Sequence, residues 1–250
     1  MLAPVHNTPL AYLIVLAIVL CSIHALTHRS FFESWRMHPY SIFRGNRMFT
    51  VLTSLFVHVD GMHLLVNTGM LCLTLPEVEY MLVDDFGPVK GRLLLVFFIL
   101  FTAVFAGAFT AIQNRNKVLH WSTGSSALIM AMVLYFLMYF PVEPLNVGSS
   151  LLPMWPPVWL ALGILIVLLF FMLFKTPASA IHLYGALAGV LFAFAVRPQA
   201  INEVTDILCP LMESEKGNDE SSRYNHSGEH SEYCTIEKST FAAFAALNSI

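Results

Sequence analysis

Charge is what this chain has least of. Only 12% of its 250 residues are Asp, Glu, Lys or Arg, whereas 57% are hydrophobic and the mean hydropathy is +0.68. A soluble domain carries about a quarter charged residues, so the deficit points to an integral membrane protein and gives a soluble enzyme little weight. The net charge of -3 offers no basic footprint for a nucleic acid, and none is expected as a partner. Cysteines are also few: Cys21 and Cys72 lie in apolar stretches, Cys209 and Cys234 in polar ones. They form no Cys-x-x-Cys or Cys/His spacing that would suit zinc, and no disulfide framework is legible. The first Lys or Arg is Arg29. The start therefore lacks the charged region of a secretory signal and resembles no Arg-rich transit peptide, so its apolar segment is expected to be retained as a helix.

What the chain has is long apolar runs. A membrane span needs about 20 mostly apolar residues. Six stretches qualify or nearly so: Pro9 to Leu26, Val51 to Leu75, Leu93 to Ile112, Trp121 to Phe140, Trp155 to Phe174 and Ala178 to Val196. The expected fold class is an all-α membrane protein with six transmembrane helices. Thr27 to Thr50 joins the first two and contains Phe31, Phe32, Trp35, Tyr40, Phe43 and Phe49. That is too apolar for a solvated linker, so a large folded loop in the membrane interface is expected. After Pro198 the composition turns acidic, with Glu213, Glu215, Asp219, Glu220, Glu229 and Glu232. The expected organisation is a membrane domain over 1–198 and an acidic, disordered tail over 199–250. Charge leaves the orientation open: Arg29, Arg36, Arg44 and Arg47 after the first span pull against Arg197, Lys216, Arg223 and Lys238 in the tail.

Polar residues inside such stretches are costly and are functional hypotheses by default. Six spans alternate in direction, so the second, fourth and sixth begin on one face. They carry His63, Ser126 and His182 near their starts. Ser126 is expected about five residues into its span and His182 about four, which at 1.5 Å per residue puts both roughly 6–8 Å deep. A lone serine usually packs and a lone histidine is usually buried and satisfied. At matched depth, however, the two can form the serine–histidine pair of acyl transfer. Gly185 and Gly189 follow His182 with small-residue spacing that lets a neighbouring backbone approach closely.

His58 and His63 raise zinc as a rival. On one helix, residues five apart turn by about 500° and leave a common face, so zinc is disfavoured. His63 and Asn67, four apart, do share a face. They could serve as interhelical hydrogen-bonding groups or as donors to an oxyanion.

The ordered set His58-x4-His63-x3-Asn67, Gly124-x-Ser126 and His182-x2-Gly185-x3-Gly189 resembles the rhomboid family of intramembrane serine proteases, from about Pro39 to Pro198. The resemblance implies a six-helix rhomboid-like bundle. It makes Ser126 the nucleophile and His182 the general base. His63, Asn67 and the Ser126 amide would form the oxyanion hole, with Gly124 and His58 in support. Glu79 stands where the family carries a structural glutamate, and Gly185 and Gly189 would pack helices. No cofactor or metal is implied. The implied substrates are single-span membrane proteins, cleaved near the end of their transmembrane segment at a site open to the non-cytoplasmic side. Three positions depart from the family pattern. Ala127 replaces the glycine after the serine, Met130 replaces a frequent aromatic, and Trp35-Arg36 lies farther upstream than the usual Trp-Arg pair.

The expected activity is thus that of a serine endopeptidase embedded in the lipid bilayer. The alternative is a catalytically silent rhomboid-like protein that binds membrane clients, and a small transporter ranks last. A bacterial cytoplasmic membrane is the first expectation for location and a secretory-pathway membrane the second.

Overall fold

The computed structural model describes residues 3, 5–142, 156–174 and 179–219, and every regular element among them is helical. The chain divides into two compact units, Met1–Phe136 with Leu162–Phe192, and Leu137–Ala161 with Ala193–Ile250.

In the first unit, α1 (Pro9–Thr27) opens with proline at its first position, where the missing N–H costs nothing. Leu13, Leu16, Leu20 and Ile23 are exposed along it. Its opening turn is held by Glu79, whose carboxylate accepts the N–H of Ala11 at 2.6 Å and of Leu10 at 3.4 Å. Glu79 is fully buried and also pairs with Arg92 Nε at 3.0 Å. An anion at a helix N-terminus answers both its orphan donors and its dipole.

The stretch between the first two apolar runs is folded, as α2 (Arg29–Trp35) and α3 (Pro39–Ile42). Phe32 is buried with Ala25 and Val57, while Phe43, Met48 and Phe49 are exposed.

The run from Val51 to Leu75 is not one helix. A short α4 (Thr50–Thr53) and a 3-10 turn over Ser54–Phe56 come first, and α5 (Gly61–Phe86) then departs at 91°. The cause is Asp60, in extended backbone, whose carboxylate accepts the His63 N–H at 2.7 Å and caps a new helix. α5 runs past the expected end to Gly87, whose φ of 80° stops it, and Pro88 opens α6 (Pro88–Asn114). Gly91 of α6 lies so close to α5 that a Cβ would meet the Leu82 carbonyl.

α7 (Ser126–Tyr139) begins five residues later than Trp121, where the apolar run starts. Ahead of it, Met37 and Ser122 exchange backbone hydrogen bonds at 3.0 and 3.1 Å, and Gly124 N–H donates to the Ser54 carbonyl at 2.8 Å. These contacts keep 121–125 out of the helix. α8 (Pro157–Leu173) and α9 (Ser179–Val196) complete the apolar helices. A Cβ on Gly185 would strike the Ala127 carbonyl, and one on Gly189 the Ala131 carbonyl. The two contacts advance together along both chains, so α9 runs parallel to α7 with backbones touching. Phe98, Tyr135 and Phe192 pack beside them, with the two phenyl rings stacked at 4.3 Å.

In the second unit, Arg197 pairs with Glu203 at 2.7 Å and donates to the Tyr139 carbonyl. The tail does not start as disordered chain: Gln199–Asp219 form α10. Composition alone missed the helical spacing of Ile201, Val204 and Leu208 inside the acidic run. Cys209 is disulfide-bonded, although no framework was legible in the sequence. The rest of the expected tail, 220–250, lies outside the described residues.

Among the described residues, two helices, α1 and α6, are long and apolar enough to cross a membrane, and two bent helix pairs meet the same test. α7 and α8 are apolar but shorter, at 14 and 17 residues.

Candidate active site

Every residue singled out in the sequence as reactive lies in the first unit, and the fold brings them together. Ser126 is the first residue of α7, not the fifth of a longer helix. Its amide is therefore among the N–H groups that have no partner within a helix, at the positive end of the helix dipole. His182 is the fourth residue of α9. The parallel contact of the two helices sets Ser126 Oγ 2.8 Å from His182 Nε2, close enough for a hydrogen bond that readies the hydroxyl to lose its proton. Ala127, the departure next to the serine, is buried, and its carbonyl faces Gly185, where the absent side chain leaves it room.

Gly124 has a φ of 97°, a conformation that disfavours any side chain. Its Cα faces the first turns of α5: a Cβ there would stand 2.8 Å from His63 Cε1 and 3.2 Å from Asn67 Nδ2. His63 Nδ1 and Asn67 Nδ2 are buried without hydrogen-bond partners. Such groups are uncommon and call for an explanation. A side-chain amide and an imidazole beside a serine at a helix start are what a developing oxyanion would bind.

His58 stands behind this group. It precedes α5 and so shares no helix with His63, contrary to the spacing-based expectation; the two rings meet edge to face at 5.0 Å. Ser22 Oγ donates to the Phe56 carbonyl at 2.8 Å and also lies 2.8 Å from His58 Nδ1. With its proton committed to Phe56, Ser22 can only accept from His58, so Nδ1 carries the hydrogen. Nε2 is then an acceptor, and the Ser125 N–H donates to it at 3.4 Å. His58 thereby ties α1 to the residue before Ser126. Among the described residues, no three His, Cys, Asp or Glu side chains converge to hold a metal ion.

A cavity of about 560 Å³ opens onto the pair, lined among others by His58, His63, Ser126 and His182. Its further wall comes from residues the sequence did not single out. The Trp121 ring lies between the His38 imidazole, stacked at 3.8 Å, and the Arg36 guanidinium, 3.5 Å from its centroid. His38 also bonds the Val118 carbonyl through Nε2 at 2.8 Å. Arg36 and His38 thus clamp Trp121, in the segment that leads into Ser126. Burial, with the like charges of Lys117 and His38, holds the His120 imidazole below the usual histidine range, hence neutral near pH 7.

A family model described as Rhomboid domain matches residues 45–199. No curated protein matches the chain.

Proposed function

We propose that this chain, which belongs to the rhomboid family and is an integral membrane protein, is an intramembrane serine endopeptidase. The observation that carries the reading is the 2.8 Å approach of Ser126 Oγ to His182 Nε2. His182 takes the hydroxyl proton as Oγ attacks the scissile carbonyl. The oxyanion is met by the Ser126 amide, Asn67 and His63. His182 then gives the proton to the leaving amine and an acyl-enzyme remains. Water, deprotonated by His182, attacks that ester; the second tetrahedral intermediate collapses, the acid product leaves, and the proton returns to Ser126. This chemistry needs no cofactor or metal.

The substrates are single-span membrane proteins, cut near the end of their transmembrane segment. Helix length supports this. The 14 residues of α7 extend about 21 Å, whereas a bilayer core is about 30 Å thick. With its far end at one face, α7 leaves Ser126 below the other, within reach of the end of a substrate helix. The bent and short helices count as spans in a six-helix bundle, with the stretch between the first two lying in the interface. The membrane domain ends near residue 198, and the region beyond it is not needed for chemistry. A bacterial cytoplasmic membrane is favoured over a secretory-pathway one. A client-binding role without chemistry would leave the Ser126–His182 approach unexplained.

The test is cleavage of a model single-span substrate by the purified protein in liposomes. Ser126→Ala and His182→Ala should each abolish it while the protein stays folded. Cleavage by Ser126→Ala at the wild-type rate would overturn the assignment.

A further inference from the structure

The wall of the Ser126 cavity carries more positive charge than the protein neutralises. Arg29 and Arg36 line it, and among the described residues no Asp or Glu does. One carboxylate serves both: Glu33 lies 2.9 Å from Arg29 and also pairs with Arg36. Arg47 adds a third cation close by, and it donates to the main-chain carbonyls of Glu33 and Arg36. Three guanidinium groups therefore share one acidic side chain. Asp60 caps α5 through the His63 N–H and, among the described residues, forms no ion pair with Arg29 or Arg36. Arg36 Nε is buried without a partner, whereas the Arg29 side chain is 82% exposed.

We infer that Arg29 and Arg36 select substrates bearing an Asp or Glu within a few residues of the scissile bond. The inference rests on the peptidase reading and names the substrate class of that site. An extended chain advances about 3.3 Å per residue, so a cavity of about 560 Å³ admits only a short segment beside Ser126. A carboxylate in that segment supplies the missing countercharge and a bidentate partner for a guanidinium. A Lys or Arg there meets like charge. A lipid phosphate offers the same chemistry, and the test separates the two sources.

The experiment uses the full chain in vesicles made with and without anionic phospholipid. One single-span substrate is prepared with Asp, Asn or Lys at each of the three positions on either side of its cleavage site. For at least one position, kcat/KM for Asp should exceed that for Lys by about tenfold, the scale of an exposed ion pair gained against one repelled. Arg29→Glu, whose side chain lies outside the Ser126–His182 pair, should remove or invert that order, and Arg29→Gln should reduce it. Ser126-dependent cleavage that is indifferent to substrate charge at every position would overturn the inference and leave the peptidase reading standing. Rates that follow anionic lipid but not substrate charge would overturn it in favour of a phosphate site. Absence of any Ser126-dependent cleavage would overturn both.

Discussion

Gly124 and Asn67 are packed so closely that a Cβ on the glycine would stand 3.2 Å from the Asn67 amide nitrogen. The loop before Ser126 and the first turns of α5 are therefore built against each other at the proposed oxyanion site. Gly124→Ala must carry a side chain at a φ of 97° and press on His63 as well. A shift of about 1 Å in such a site costs about 100-fold. Turnover of a model substrate should fall by about that factor, with the thermal midpoint in detergent lowered only modestly.

Asn67→Ala removes one donor and leaves His63 and the Ser126 amide. Loss of a donor of this kind costs about 10²–10³ in kcat. The fall should appear in kcat with KM little changed, because the donor acts on charge that forms only during reaction. A loss confined to KM would place Asn67 in ground-state binding.

Gly189→Val should damage activity through geometry, since the new side chain drives into the Ala131 carbonyl. Gly163, on α8, has open space where its Cβ would lie, and Gly163→Val is the matched control. Cleavage should drop by about 100-fold in the first variant and stay near wild type in the second. Equal activity in both would mean that the α7–α9 contact does not set the catalytic geometry.

Glu79→Gln tests stability apart from chemistry. The substitution leaves Arg92 without its counter-ion and weakens the cap on α1. The Arg92 side chain is 35% exposed, so water takes up part of the loss and the cost is on the order of 1–2 kcal/mol. The thermal midpoint should fall clearly, while cleavage measured well below it should stay close to wild type.

That Ser126, His182, His63 and Asn67 belong together was legible because their order and spacing survive as short motifs. What could not be read was where helices begin. Trp121 to Ser125 are apolar or small enough to pass for helix, and only the pairing of Ser122 with Met37, distant in sequence, shows otherwise. His58 lies outside the helix its spacing suggests, because Asp60 caps a new helix after it. Its partners Ser22 and Ser125 lie on other segments, and no local pattern announces them. Arg29 and Arg36 read as topology signals; their place at the cavity wall is a product of folding. The start of the tail was read by composition, which is blind to the helical spacing of Ile201, Val204 and Leu208.

Gly185 on Ala127 and Gly189 on Ala131 form two rungs about 6 Å apart, one helical turn. A single point of contact would let one helix pivot on the other; two fix sliding and rotation together. The separation of Ser126 and His182 is then a property of two backbones in register, insensitive to which apolar side chains face the lipid. Any sliding or pivoting within the bundle must then be taken up by elements other than the α7–α9 pair, which leaves the alignment of Ser126 and His182 untouched. Lipid-facing positions on both helices can drift through sequence space while the chemistry stays in place.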